Sequence, residues 1–468
     1  MTRPFSLTST TRRILRAPFV FRAPIGIIAA LFAALCVFAP EASRGATSPT
    51  GPSVTGRTDQ PPLSYEPGAP AVFEFSVRGF APDRETFVKW TIIGDGGFKR
   101  SSGVAALPPG VSDFALTNTI HAPGFAMASA SLATGPDGKL FRVDGQIVSC
   151  TLAAGFGTEA IRTMPEPEDF DEFWKGVRTE ADAVDLSGAE ILPASDTTVA
   201  AKWPGSTVFG FRVPIPGHAP ATGWIAFPRD AEAGTLPAEL RFHDYGVGGG
   251  SEPSPALDRS ALAADVNAHG FDLGREPAYY RAFMNRISDG GHGGGYGFRD
   301  DENAAPETCY FRDMALRALV AARYVQSLPQ WNGADLAAAG SGQGAFQATA
   351  LAALDRSVSA LRVALPWPCD IGGTERLGRI EGWLPVYQPA LRYFDAANLA
   401  SRVTASCNME IVGLADLTAP PSGAAAYFNA LRGPKKATWV QNRRHETGPV
   451  PEGVQTQTVS VASSTGSR

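Results

Sequence analysis

Gly340-Ser341-Gly342-Gln343-Gly344, Asp416 and His445 follow one another in this order along a chain of 468 residues. A nucleophile, a carboxylate and a histidine in that order, each after a strand, is the arrangement that acyl transfer uses on a parallel sheet. The carboxylate fixes the imidazole tautomer, and the imidazole takes and returns the proton. The nucleophile itself must sit on a sharp strand-to-helix turn. Residues two before and two after it must be small, because strand and helix approach closely there. Gly340 and Gly344 meet that demand only with Gly342 at the apex, which leaves Ser341 one place early. With Ser341 at the apex, Ala339 and Gln343 would hold the close-contact positions, and Gln343 is too bulky. Successive side chains of a strand point apart, so Ser341 Oγ is expected to miss His445.

The elements needed to position these residues are legible. Residues 336–339 read as a short buried strand entering the turn, and the small-residue stretch 345–354 as the helix leaving it. Residues 409–412 form a strand that runs into Asp416, and 437–441 one that runs into His445. Further strands are expected at 208–213, 223–227, 240–243 and 361–365, with helices after Pro165 and over 308–328. This alternation predicts an α/β fold, a mostly parallel sheet flanked by helices, over residues 165–448. Before it, residues 63–155 show short alternating strands separated by Asp95-Gly96-Gly97 and Pro136-Asp137-Gly138. They predict a small β-sandwich of immunoglobulin-like size, acting as a spacer or interface. An exposed Trp90 there would suggest carbohydrate contact instead. Residues 47–62 read as a flexible linker and 449–468 as a disordered tail.

Residues 1–46 carry arginines, then an apolar run over 25–39, then small residues, the order of an export signal; an uncleaved membrane anchor is the lesser reading. The formal charge of −5 becomes more negative without that basic segment, and no basic cluster remains, which argues against nucleic acid as a partner. Cys150, Cys309, Cys369 and Cys407 are too scattered for a disulfide framework and read as buried thiols. No ligand spacing supports a metal site. Gly340-x-Gly342-x-x-Ala345 matches a dinucleotide fingerprint, yet no acidic residue ends the next strand, so the match is a coincidence. The glycine-rich stretch 290–295 around His292 reads as a loop near the site.

From Pro165 to Pro449 the chain resembles the acetyl xylan esterase and cephalosporin-C deacetylase family of α/β-hydrolases. The matching stretches are residues 167–174 (PEDFDEFW), 307–312 (ETCYFR), 363–370 (VALPWPCD), 393–400 (YFDAANLA), 413–416 (GLAD) with Pro420-Pro421, and His445-Glu446. The resemblance implies an exported carbohydrate esterase that removes acetyl groups from sugars or xylo-oligosaccharides. It implies no metal or organic cofactor, and a homo-oligomer. It also implies Asp416 and His445 as catalytic residues and an oxyanion hole from the N–H groups of Tyr245 and Gln343. Two departures fall in the site. Where the family reads Gly-Gly-Ser-Gln-Gly, this chain exchanges the middle pair, so Gly342 holds the nucleophile position. Where the family reads His-Gly-Tyr-Gly, this chain has His243-Asp244-Tyr245-Gly246, which brings a carboxylate toward developing negative charge. The alternative expectation is therefore a catalytically degenerate relative that binds glycans or serves a structural role.

Overall fold

The computed structural model describes residues 14–17, 51–80, 84–194, 201–247, 250, 253–254, 258, 260–289, 291 and 295–462. The N-terminal part is a sandwich of two four-stranded sheets. One contains Ser53–Thr58, Ala71–Arg78 and Asp113–Asn118, with the backbone of Ile14–Ala17 along its edge. The other contains Thr86–Gly94, Ser101–Leu107, Gly124–Ala133 and Ser149–Phe156. Phe73, Phe75, Val77, Val88 and Leu152 alternate inward to form its core. The sandwich begins earlier than the expected boundary. Residues 53–58, expected as linker, pair antiparallel with 71–78, and Gly56 permits this because a Cβ there would lie 2.5 Å from Glu74 O. Trp90 is half-buried over Gly103 rather than exposed.

The second part is built on a ten-stranded sheet. Its centre is parallel, in the order Leu262–Val266, Leu236–Phe242, Trp331–Ser341, Val358–Ala364, Ser406–Gly413 and Lys435–Val440. Antiparallel strands Glu190–Pro193, Ser206–Ile215 and His218–Pro228 extend one edge. Thr456–Val461 extends the other, pairing antiparallel with Lys435–Val440. The tail expected from residue 449 is thus ordered through this strand. Its alternating Thr, Val and Ser residues satisfy the ladder by backbone pairing with almost no apolar burial, so hydropathy could not reveal it. Helix Gln343–Leu354 is Ala-rich and buried from Gln343 to Ala352, which lets it lie close against the parallel strands. Helix Tyr310–Ser327 packs beside it.

The two parts are joined by side-chain contacts between described residues. Phe125 of the sandwich stacks on Trp439 with ring centroids 6.0 Å apart. Gln441 accepts from Ala153 N (2.8 Å) and donates to Ala153 O (2.7 Å). Gln455 and Gln457, flanking and within the last strand, accept from Thr58 N and Leu63 N. Cys150, Cys309, Cys369 and Cys407 are buried free thiols. Among the described residues no helix is long and apolar enough to cross a membrane. The apolar run at 25–39 and, of the glycine-rich stretch, Gly290 and residues 292–294 lie outside the described residues.

Candidate active site

The turn between strand Trp331–Ser341 and helix Gln343–Leu354 is made by Gly342, with φ 53° and ψ −121°. A side chain is strained in that conformation, and such strain is characteristic of a nucleophile-bearing turn. The small flanking residues are required sterically. A Cβ on Gly340 would come within 2.2 Å of the Gly344 backbone, and one on Gly344 within 2.1 Å of Phe242 O. Gly344→Ala is therefore expected to destabilise the fold by about 3 kcal/mol or more, because only backbone could move to admit the methyl group; urea denaturation measures it. Ser341 Oγ is enclosed and, among the described residues, makes no hydrogen bond, to His445 or to any other group.

Asp416 and His445 come together at the carboxyl ends of neighbouring strands. His445 Nδ1 lies 2.7 Å from Asp416 Oδ2, and buried Asp416 accepts through Oδ1 from Thr418 N (2.7 Å) and Ala419 N (3.0 Å). That leaves Nε2 of the imidazole facing the turn, where a nucleophile's hydroxyl would be expected. The atom found there is Asp244 Oδ2, 3.7 Å away.

Asp244 fills two places at once. Its Oδ1 accepts from Tyr245 N (2.7 Å) and Gln343 N (3.2 Å), the two groups expected to form an oxyanion hole. A Cβ built on Gly342 would lie 1.8 Å from the same Oδ1 and 2.5 Å from Cγ. The carboxylate therefore occupies the volume that a side chain at the turn would need. The glycine at 342 and the acid at 244 are one geometric arrangement, since either residue alone would leave a clash or a void.

The electrostatics follow from that arrangement. Burial pulls the His445 pKa down, but the hydrogen bond and charge of Asp416, joined by the charge of Asp244, outweigh it and raise the pKa. The imidazole stands between two carboxylates, hydrogen-bonded to Asp416 and 3.7 Å from Asp244. A group whose folded pKa exceeds its unfolded one stabilises the fold at low pH, and this contribution fades as pH rises through the folded value. Asp244→Asn removes one source of the rise, so the His445 midpoint in an NMR titration is expected above 6.5 in the wild type and lower in the variant. An unchanged midpoint would show that Asp244 carries no charge felt at the imidazole.

The loop bearing Asp244 is pinned by polar contacts. His243 Nε2 accepts from Ala268 N (3.1 Å), so Nδ1–H donates to Asp244 O (2.7 Å). His269 lies within hydrogen-bond reach of Gly246 O and of Tyr310 OH, both at 2.9 Å. Burial lowers the pKa of both histidines, which keeps these braces neutral. Tyr296 OH accepts from Gly246 N and donates to Gln343 Oε1 at 2.6 Å, joining the loop to the turn. Tyr245 stacks on Tyr296 at 4.0 Å and lies nearly perpendicular to half-buried Trp383 at 4.6 Å, which in turn stacks on Trp367 at 5.3 Å. His269, Tyr296 and Trp383 carry no local sequence signal, because they reach the site from separate loops and elements.

A parallel sheet with a glycine-flanked elbow, followed in chain order by a buried aspartate and its histidine, defines an α/β-hydrolase. Residues 159–380 and 387–460 match the acetyl xylan esterase (AXE1) family, and the chain belongs to that family. The acetyl esterase Axe7A of Xylanibacter ruminicola is 23% identical over 400 residues, covering 82% of this chain and 84% of that protein. The acetyl xylan esterase from Paenibacillus sp. R4 superposes with a TM-score of 0.51 at 24% identity, over 62% of this chain and 94% of that one. Acetyl xylan esterase 1 from Thermoanaerobacterium sp. JW/SL YS485 gives 0.48 at 22% identity, over 62% and 93% respectively.

Proposed function

We propose that this chain recognises acetylated carbohydrate beside the partly exposed Asp244 and does not deacetylate it by the serine route of its family. The observation that carries this reading is the position of Asp244 Oδ1 between Tyr245 N and Gln343 N. An acyl oxygen could reach those donors only by displacing a carboxylate, and each donor is worth about 3–4 kcal/mol to an oxyanion. The enclosed, unbonded Ser341 Oγ offers no replacement nucleophile. Carbohydrate as the ligand class rests on family membership, on the Tyr245–Trp383 aromatic wall, and on a carboxylate able to accept from sugar hydroxyls.

Turnover of 4-nitrophenyl acetate is expected at a level that Ser341→Ala leaves unchanged. Isothermal titration with acetylated xylo-oligosaccharide should show binding, weakened about 10-fold by Trp383→Ala, the loss of about 1.4 kcal/mol of ring contact. Turnover abolished by Ser341→Ala would overturn the reading, as would the absence of binding. Export through residues 1–46 would bring the protein to polymeric carbohydrate; secreted protein beginning near residue 47 is the expected mark of it.

A further inference from the structure

We propose that Asp244 is a nucleophile whose Oδ2 attacks a saturated carbon bearing a leaving group, in place of the family's serine attack on an acyl carbon. The inference goes beyond carbohydrate recognition and does not depend on it.

The position is that of a nucleophile. The carboxylate stands where a side chain from Gly342 would stand, and it faces the imidazole that Asp416 orients. Its two oxygens are not equivalent. Oδ1 is held by two backbone N–H groups, whereas Oδ2, 3.7 Å from His445 Nε2, lies beyond hydrogen-bonding range of the imidazole. The Asp244 side chain is 42% exposed, so a substrate can reach it.

The filled cradle selects the chemistry. Attack on a carbonyl builds charge on a substrate oxygen, which would need the donors that Oδ1 already uses. Attack on a saturated carbon builds no such charge. The Oδ2 lone pair forms the new carbon–oxygen bond, and the leaving group departs with the electron pair of the bond that breaks. The product is an alkyl ester of Asp244.

Hydrolysis of that ester gives the cradle a use. His445 Nε2 takes a proton from water, and the water oxygen attacks Asp244 Cγ. Negative charge then develops on Oδ1, which already sits between Tyr245 N and Gln343 N. Collapse breaks the Cγ–Oδ2 bond, and the alcohol leaves with the proton from His445. The regenerated carboxylate keeps one oxygen from water. The net reaction consumes the alkyl compound and water and yields an alcohol, a proton and the anionic leaving group. Ester formation also cancels the charge of Asp244, the smallest of the influences that raise the His445 pKa, so the imidazole parts with its proton more readily once the ester has formed.

His445→Gln should stop the sequence at the ester. Incubated with 1-bromobutane or benzyl chloride, this variant is expected to gain the mass of one butyl or benzyl group, mapped by peptide mass spectrometry to Asp244. The Asp244→Asn/His445→Gln protein should gain none at that peptide. In a single turnover of wild type in ¹⁸O-water, the label should enter the Asp244 carboxylate, and the alcohol should carry unlabelled oxygen. The proposal is overturned if His445→Gln with a native circular dichroism spectrum forms no adduct with either probe, or forms it at another residue. Label found in the alcohol alone would mean direct attack by water and would overturn it equally. Carbohydrate binding, read separately by calorimetry, stands or falls on its own.

Discussion

Asp244→Gly combined with Gly342→Ser is expected to hydrolyse 4-nitrophenyl acetate roughly 10³-fold faster than the wild type, or better. The first change empties the cradle formed by Tyr245 N and Gln343 N. The second places a hydroxyl at a turn whose φ of 53° and ψ of −121° already suit a nucleophile elbow. His445, positioned by Asp416 at 2.7 Å, then faces that hydroxyl. Each single change should behave differently. Gly342→Ser alone drives its Cβ to within 1.8 Å of Asp244 Oδ1, so it should lose stability and gain little activity. Asp244→Gly alone vacates the hole and supplies nothing to attack with. The combination should therefore be both more stable than Gly342→Ser and far more active than either, a coupling that a double-mutant cycle measures. Adding Ser341→Gly gives the elbow pattern implied by the family resemblance, Gly-Gly-Ser-Gln-Gly. A folded double variant with wild-type turnover would mean that Asp244 and Gly342 are not a compensating pair.

The parallel core was legible because its strands are short apolar runs that end at chemically distinctive residues. Residues 336–339 predict the strand that the structure extends to Trp331–Ser341, and 409–412 the strand Ser406–Gly413 that ends just before Asp416. Leu262–Val266 was missed, since a five-residue strand flanked by polar loops has no periodicity to read. The edge strand Thr456–Val461 was missed for the opposite reason, because it buries almost nothing and is held by backbone pairing. At the site, spacing alone identified the apex as Gly342, because Gly340 and Gly344 have no room for a side chain. The unusual Asp244 was also visible in the sequence. What spacing could not show is that Asp244, 98 positions before Gly342, fills the volume a side chain at 342 would need, its Oδ1 only 1.8 Å from where a Cβ would stand. Such compensation is a property of volume, and a one-dimensional pattern carries no volume.

Arg379→Met is expected to destabilise the protein by about 3–5 kcal/mol near neutral pH, and by distinctly less in mild acid. Arg379 is the cation in a cluster of acids at the junction of sandwich and sheet. Its Nη1 lies 3.7 Å from Asp95 Oδ2 and its Nε 3.5 Å from Asp370 Oδ2, with all three side chains largely buried. Asp95 is also satisfied by Phe125 N and Ile380 N, and Asp395 by Asp370 N, Ile371 N and Ala397 N. Asp370 differs, because among the described residues its carboxyl oxygens have no partner at full hydrogen-bond geometry, and they lean on the charge of Arg379, with a weaker pull from the Thr163 hydroxyl. Burial first, then the charge of Asp395, pushes the Asp370 pKa from 3.8 up to about 7, against the pull of Arg379. A raised carboxyl keeps its proton in the folded state after the unfolded chain has lost it. Stability from this group is therefore complete below 3.8 and declines, by about 1.4 kcal/mol per pH unit at most, until about 7. Without Arg379 the ionised form has no counter-charge, so the decline should extend to higher pH and deepen. Urea denaturation at about pH 5 and about pH 8 compares the two forms. Asp370→Asn should flatten the decline while leaving the fold intact. Equal losses for Arg379→Met at both pH values would mean that the guanidinium contributes packing at this junction and not the charge that balances Asp370.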